Sequence, residues 1–208
     1  MKIINLTDDS DIYTSNAYFL LGDWKAVDDV NALIDVGRDP SIIDKIKELD
    51  TGVGKKRVDR VVLTHAHYDH AALLPIVKAE FAPEVYSFHP FDGVSHALRD
   101  GQTLKLADTW FEVIHTPSHT SDSICLYCAE EGALFSGDAS LIITATDASY
   151  QENFVGSLER IARRDIRAIY PGHGSPIIHG AKRLIYKSLD NVRKSKIAKT
   201  LTDSRWPE

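Results

Sequence analysis

Apolar and polar positions alternate along this chain in two rhythms, one of strands and one of helices. Lys2 to Leu6 and Ile12 to Leu21 are β-prone, and the second run ends at a Gly22-Asp23 turn. Ala32 to Val36 predicts a short apolar strand stopped by Gly37. Asp39-Pro40 then opens a helix through about Leu49, with Pro40 suited to a first-turn position, and Gly52 and Gly54 close the segment. Val58 to Leu63 predicts a strand buried on both faces, because Val61, Val62 and Leu63 run unbroken. A polar stretch, Thr64-His65-Ala66-His67-Tyr68-Asp69-His70, leads into a helix from about Ala71 to Phe81, and a strand follows at Val85 to Phe88. Between Thr103 and Phe135 the pattern becomes β segments of similar length, with turns at Ala107-Asp108, Pro117-Ser118 and Glu131-Gly132. Tyr150 to Arg163 has helical period, with Phe154, Leu158, Ile161 and Ala162 on one face. Ile166 to Tyr170 is again strand-like and breaks at Pro171-Gly172-His173-Gly174. A basic helix from about Ala181 to Lys199 precedes a polar tail.

The element order predicts an α/β protein in which two sheets carry helices on their outer faces. No repeat, low-complexity tract or Pro/Gly/Ser-rich linker divides the 208 residues, so the expectation is a single domain over 1–208. Hydrophobic residues at 43% and charged residues at 26% are the balance of a globular protein. The formal charge of -6 speaks against a general nucleic-acid-binding surface, which wants clustered positive charge. No apolar run approaches the roughly 18 residues of a spanning helix, so no membrane partner is expected. The start, MKIINLTDDSD, lacks the apolar core of a signal peptide. Two cysteines make no disulfide scaffold, which together with that start predicts a cytoplasmic location.

Nine histidines stand out, and their placement matters more than their number. His65, His67, Asp69 and His70 put four potential metal ligands within six residues, directly after the buried strand. At about one in twenty per position, four fixed residues recur by chance in roughly one chain per thousand of this length. In an extended stretch, residues two apart point the same way, so His65 and His67 can grip one ion. The turn into the following helix redirects Asp69 and His70 toward a second. Neutral imidazoles and carboxylates suit zinc, iron or manganese. Three further ligand types follow later strands: His119 after Thr116-Pro117-Ser118, Asp138 after Ser136-Gly137, and His173 inside Pro171-Gly172-His173-Gly174. Each alone is an ordinary turn residue. Together with the first cluster they supply five His and two Asp, enough for two ions.

These residues carry a family resemblance. His65-x-His67-x-Asp69-His70, Thr-Pro-x-His119-Thr, Ser-Gly-Asp138 and Pro-Gly-His173-Gly, in that order, resemble the motifs of the metallo-β-lactamase-fold hydrolases. Leu33-Ile34-Asp35-Val36-Gly37 and Asn16-x-Tyr18 resemble that family's early strand motifs, so the likeness runs from Asn16 to Gly174. It implies a four-layer αββα sandwich with a dinuclear site at one edge. It also implies that His65, His67 and His119 hold one metal, that Asp69, His70 and His173 hold the other, and that Asp138 bridges them.

Two divalent cations, zinc first with iron or manganese as alternatives, would lower the pKa of a bridging water to give hydroxide near neutral pH. Asp69 is the carboxylate placed to orient that hydroxide or take its proton. The expectation is therefore a dinuclear metal-dependent hydrolase of a small ester-like substrate: a thioester, lactone, ester or phosphodiester. The rival is an iron-dependent oxidoreductase handling oxygen or sulfur on the same fold. Departures from individual branches narrow this. Asp138 stands where some zinc β-lactamases have a cysteine ligand, and His67 stands where flavodiiron oxygen reductases have Glu. The metal motifs resemble glyoxalase II, but that group's Gly-Cys-Gly-Arg stretch is absent from Asp138-Ala139-Ser140-Leu141-Ile142-Ile143. Its longer helical glutathione-binding region is also lacking. Leu141 replaces a Tyr frequent in quorum-lactone hydrolases. No segment is long enough for the inserted domain or arm of the nucleases. Specificity is expected from loops 89–101 and 139–150, and oligomeric state is not encoded in any motif.

The remaining chemistry-bearing residues read as mostly structural. Cys125 and Cys128 form a Cys-x-x-Cys inside a strand, where three-residue spacing puts them on opposite faces. His115 lies near His119 as a supporting group or a structural one, while His89 and His96 fall in a stretch that can border a pocket. His179 has no motif. Asp35 is either a carboxylate supporting the metal ligands or a turn-forming Asp before Gly37. Lys182, Arg183, Lys187, Arg193, Lys194, Lys196 and Lys199 make the last helix basic, a solvated face or a contact for an anionic substrate. Two divalent cations would shift the formal charge to about -2, so the acidic balance says little about partners.

Overall fold

The computed structural model describes residues 1–199. Six strands, β1 (Lys2–Asn5), β2 (Tyr18–Leu21), β3 (Ala32–Ile34), β4 (Arg60–Val62), β5 (Glu84–Ser87) and β6 (His96–Ala97), form a first sheet in chain order. It is antiparallel through β3 and parallel from β3 to β6. The second sheet contains β7 (Thr103–Leu106), β8 (Thr109–His115), β9 (Ile124–Cys128), β10 (Ala133–Gly137) and, after a short β11 (Ser149–Gln151), β12 (Ala168–Pro171). Its order is β12-β10-β9-β8-β7, antiparallel except for the parallel pair of β10 with β12.

Three buried clusters define four layers. On the outer face of the first sheet, Phe19, Leu33, Val61 and Val85 pack with Ile42 and Ile46 of α1 (Ser41–Glu48) and Val77 of α3 (Leu74–Phe81), which follows the single turn α2 (Tyr68–Ala71). Tyr18, Leu20, Ile34 and Val62 point the other way, against Phe111, Val113, Leu126 and Phe135 of the second sheet. That sheet's far face buries Ile114, Leu134 and Ile169 against α4 (Glu152–Ala162) and α5 (Ala181–Lys194) through Leu158, Ile161, Ile185 and Leu189. Every central strand is thus covered on both sides, which is why Val61 to Leu63 and Ile124 to Cys128 read as unbroken apolar runs. The chain is an αββα sandwich. Cys125 belongs to the outer cluster and Cys128 to the cluster between the sheets, and both are free, buried thiols.

Four elements differ from the sequence pattern, each for a physical reason. Ile12 to Leu21 is a strand only from Tyr18, because its earlier backbone bonds the site loops: Ser15 N–H donates to Asp69 O (3.1 Å) and Asn16 N–H to Gly172 O (2.6 Å). The helix expected from Ala71 begins at Tyr68, since His67 is its extended N-cap, and it breaks before Leu74. Pro75 in the first turn of α3 has no N–H to continue a helix and its ring crowds the preceding turn. Pro40 is the N-cap of α1 rather than its first turn. The basic helix stops at Lys194, because β13 (Lys196–Ala198) pairs with β11 in a separate two-stranded parallel sheet. The polar tail lies outside the described residues.

Candidate metal centre

All seven candidate ligands lie at one edge of the sandwich, on loops leaving the C-terminal ends of strands or on the one-turn helix α2 that follows β4. Asp35 follows β3, His65 follows β4, Asp138 follows β10 and His173 follows β12; β3 runs parallel to β4, as β10 does to β12, so the ends meet. His119 comes from the loop between β8 and β9. Asp69 and His70 are carried on α2, so the one-turn helix is the device that turns them away from His65 and His67.

Three groups of ligand atoms lie within 4.8 Å of one another: His65, His67 and His119; His65, His70 and Asp138; and Asp69, His70 and His173. His119 Nε2 is 2.9 Å from His67 Nδ1. The carboxylate of Asp138 lies between the two ends of the cluster, with Oδ1 3.3 Å from His70 Nε2, and Oδ2 3.6 Å from both His119 Nε2 and His173 Nε2. Asp69 Oδ2 is 3.0 Å from His173 Nε2. His65 Nε2, His70 Nε2 and His173 Nε2 are buried and have no hydrogen-bond partner of acceptable geometry. Buried polar nitrogens are rarely left so. Three such atoms converging with two carboxylates have the donor chemistry of a site for borderline divalent cations.

Behind the ligands sits a buried network that fixes their orientation. His70 Nδ1 is 2.8 Å from Asp35 Oδ2, which also accepts from the Thr64 hydroxyl (2.8 Å), while Thr64 N–H donates to Asp35 Oδ1 (2.8 Å). Asp35 has φ 57°, a strained conformation for a residue with a side chain, stabilised here by those bonds. Asp35 thus both stands at the strand end before Gly37 and hydrogen-bonds His70, one of the candidate ligands. Asn16 Nδ2 and the Tyr18 hydroxyl both donate to Pro171 O (2.9 Å each), holding the loop that carries His173. In that loop a Cβ on Gly172 would fall 2.3 Å from Asp138 Oδ1 and 2.7 Å from His70 Cε1, so only glycine fits.

The charges of this metal-free arrangement are skewed. Burial disfavours the imidazolium of His70, but the Asp35 and Asp138 carboxylates outweigh it and push its pKa up to about 10. Burial, reinforced by the charge of His70, lowers His65 to about 4. Burial opposes ionisation of Asp138, yet His70 and His173 hold it down to about 2.

Sequence reasoning passed over three neighbours. Tyr13 stacks on His173 (centroids 5.2 Å apart, planes 16° apart) while remaining 70% exposed, and the Asp69 carboxylate is the main influence raising its phenol pKa. Thr64 links Asp35 to β4, and Asp122 accepts from Ala66 N–H at 2.9 Å, bracing the chain between His65 and His67. Tyr13 and Asp122 lie in irregular loops with no short-range pattern, so only the fold reveals them. His115 is structural: it stacks on Phe88 (3.9 Å) and its Nε2 meets Ser121 O at 2.8 Å. His96 stacks on Tyr86 and His89 on Phe88, neither joining the cluster. On the basic C-terminal helix Lys182, Arg193 and Lys194 pair with Asp165, Glu159 and Asp190.

Comparison with known proteins agrees with the fold. The sequence matches the Metallo-beta-lactamase superfamily model in two segments, residues 11–102 and 90–173. It is 29% identical over 167 residues to an atrochrysone carboxyl ACP thioesterase of Aspergillus fumigatus, covering 78% of this chain and 52% of that protein. It is 33% identical over 141 residues to a hydroxyacylglutathione hydrolase of Hydrogenovibrio crunogenus, covering 66% and 48%. The chain thus spans about half the length of these relatives. Its fold is similar to a metallo-beta-lactamase family protein of Thermus thermophilus, with a TM-score of 0.65 at 20% identity over 92% of this chain and 79% of the other.

Proposed function

The chain belongs to the metallo-beta-lactamase superfamily, and from that premise we propose that it is a metal-dependent hydrolase of a small thioester substrate, with two divalent cations as cofactor. The observation that carries this reading is the convergence of seven ligand side chains, three of them with orphaned buried nitrogens, at one sheet edge. His65, His67 and His119 would hold one cation, Asp69, His70 and His173 the other, with Asp138 between them. Zinc fits this N/O donor set and iron or manganese would also be accepted. The cations supply an acidified water and an electrophile for the substrate carbonyl oxygen.

The protein's own groups account for the rest. Asp35 and Thr64 hold His70 in one orientation, so its free Nε2 faces the centre. Asp69, partly exposed beside His173, is placed to take the proton from the attacking water. Water oxygen bonds to the carbonyl carbon, the C–S bond breaks, and the thiolate leaves. A thiol of pKa near 8.5 departs as the anion without a dedicated acid, whereas an alkoxide requires one. The thioester reading is supported by relatives named for a carrier-protein thioester and for hydroxyacylglutathione. The cysteine usage supports a reducing, cytoplasmic setting.

A panel of thioesters, lactones, carboxylic esters and phosphodiesters on metal-quantified protein tests the proposal. Thiol release dependent on bound metal is the expected result. No hydrolysis of any thioester, or oxygen uptake with redox-active iron in place of hydrolysis, would overturn it.

A further inference from the structure

Two grooves are lined by residues adjacent in the chain to the candidate ligands. The first, about 210 Å³, lies against Pro117 and Ser118, which precede His119, and Ser140, two residues after Asp138; Ser149, Tyr150, Gln151 and Phe154 complete it. The second, about 480 Å³, includes Tyr68 between His67 and Asp69, with Leu74, Phe91, Lys78 and Asp92. They differ in charge. The first has no side chain charged at neutral pH among its lining residues; the second has Lys78 and Asp92.

Resting on the thioester reading above, we propose that the uncharged groove beside His119 and Asp138 is the subsite for the substrate's acyl chain. Its floor is apolar and fixed: Phe154 is 3% exposed in the outer core, and Tyr150 packs against that core. Its rim is hydroxyl and amide, from Ser118, Ser140 and Gln151, so it accepts a hydrocarbon chain without stranding a charge. The wall does not depend on a free loop. β11 is pinned by β13 in register, Ser149 with Lys196, Tyr150 with Ile197 and Gln151 with Ala198, and Lys196 N–H donates to Ala148 O (3.1 Å). Residues 196–198 lie beyond the 11–173 span that matches the superfamily, so a segment outside the shared framework holds this wall in place. The charged groove is left to the polar, thiol-bearing half.

A series of acyl thioesters of one thiol, acetyl to decanoyl, tests this. In the wild type kcat/KM rises about fourfold per methylene over the first several carbons, as burial of each methylene requires. Ser149 is exposed on the groove wall, and Ser149→Trp fills the groove without touching the core. It collapses the octanoyl-to-acetyl ratio at least tenfold, whereas Tyr150→Phe and, in the other groove, Phe91→Ala keep the wild-type ratio. Binding of the corresponding S-octyl thioether to metal-free protein, followed by calorimetry, weakens at least tenfold in Ser149→Trp. An unchanged ratio and unchanged thioether affinity in Ser149→Trp, or a ratio moved by Phe91→Ala instead, would overturn the proposal. Should no thioester be cleaved, the thioester reading falls, and the thioether affinities alone decide whether the groove binds an alkyl chain.

Discussion

Asp69 and Asp35 are both carboxylates of the cluster, yet they do different work. Asp69 faces the open side beside His173, whereas Asp35 is 2% exposed and bonded to Thr64 and His70. Asp69→Asn is expected to retain the fold and lose about 10²–10⁴ in kcat, the range of positioned proton transfer. His67 is exposed, so His67→Ala should fold and abolish turnover; wild-type rates in both variants would remove these residues from the site. Asp35→Asn acts through His70, so its expected signature is a metal affinity weakened about 10–100-fold, measured by chelator competition. An unchanged affinity would make Asp35 a turn residue only.

Protonation gives a further prediction for the metal-free protein. His70, raised to about 10, stabilises the fold fully below about pH 6.5, its ordinary pKa, and that contribution fades as pH climbs to 10. His65, lowered to about 4, acts oppositely: it costs nothing above pH 6.5 and destabilises progressively as pH falls toward 4. These two place the stability maximum of metal-stripped protein near pH 6.5. Thermal melts from about pH 4 to 10 check it, and a monotonic rise across that span would contradict it. The seven candidate ligands could be named from the sequence because each is a polar residue in a segment that follows an apolar strand, and the fold brings them to one edge. Tyr13 could not be, since its stacking on His173 comes from a loop 160 positions away in the chain, which no local pattern encodes.

At the scale of elements, the centre depends on short connections more than on long helices. The one-turn helix α2 is the clearest case: four residues turn Asp69 and His70 inward, and Pro75 separates that turn from α3. The sequence pattern shows an apolar stretch here but not the break, although Pro75 was its visible cause. β11 and β13 were hidden for another reason. Three-residue strands pairing 47 positions apart leave no periodicity, and the basic helix pattern simply ran over Lys196 to Ala198. The loop after β12 offers the element-scale test. Gly172 has an ordinary φ, so its requirement is space rather than backbone freedom. In Gly172→Ala the added Cβ meets Asp138, the buried His70 and the Gly137 backbone, so it should displace both candidate ligands and also lower the stability of the protein without metal. At least tenfold weaker metal binding and a lowered metal-free melt are expected; wild-type metal affinity would contradict the packing described.

As a whole molecule, the sandwich brings loops from two sheets to one edge. The strand alternation along β2, Tyr18 and Leu20 inward with Phe19 and Leu21 outward, shows how each sheet buries both faces and leaves its edge for chemistry. That architecture was readable from element order and from motifs spread between Asn16 and Gly174, because the apolar strands and the ligand loops recur together. The loops expected to carry specificity do line the two grooves, 139–150 through Ser140, Ser149 and Tyr150 and 89–101 through Phe91 and Asp92, but Phe154 looks like any helix-face residue until β11 and α4 are placed together. The central claim concerns two cations acting together at this edge. Its most direct test is a zinc titration of metal-stripped protein during thioester hydrolysis. Thiol release should be absent without metal and rise to a break at about two equivalents per chain, as two ions sharing one water require. Full activity in the stripped protein, or full activity reached at one equivalent per chain, would contradict it.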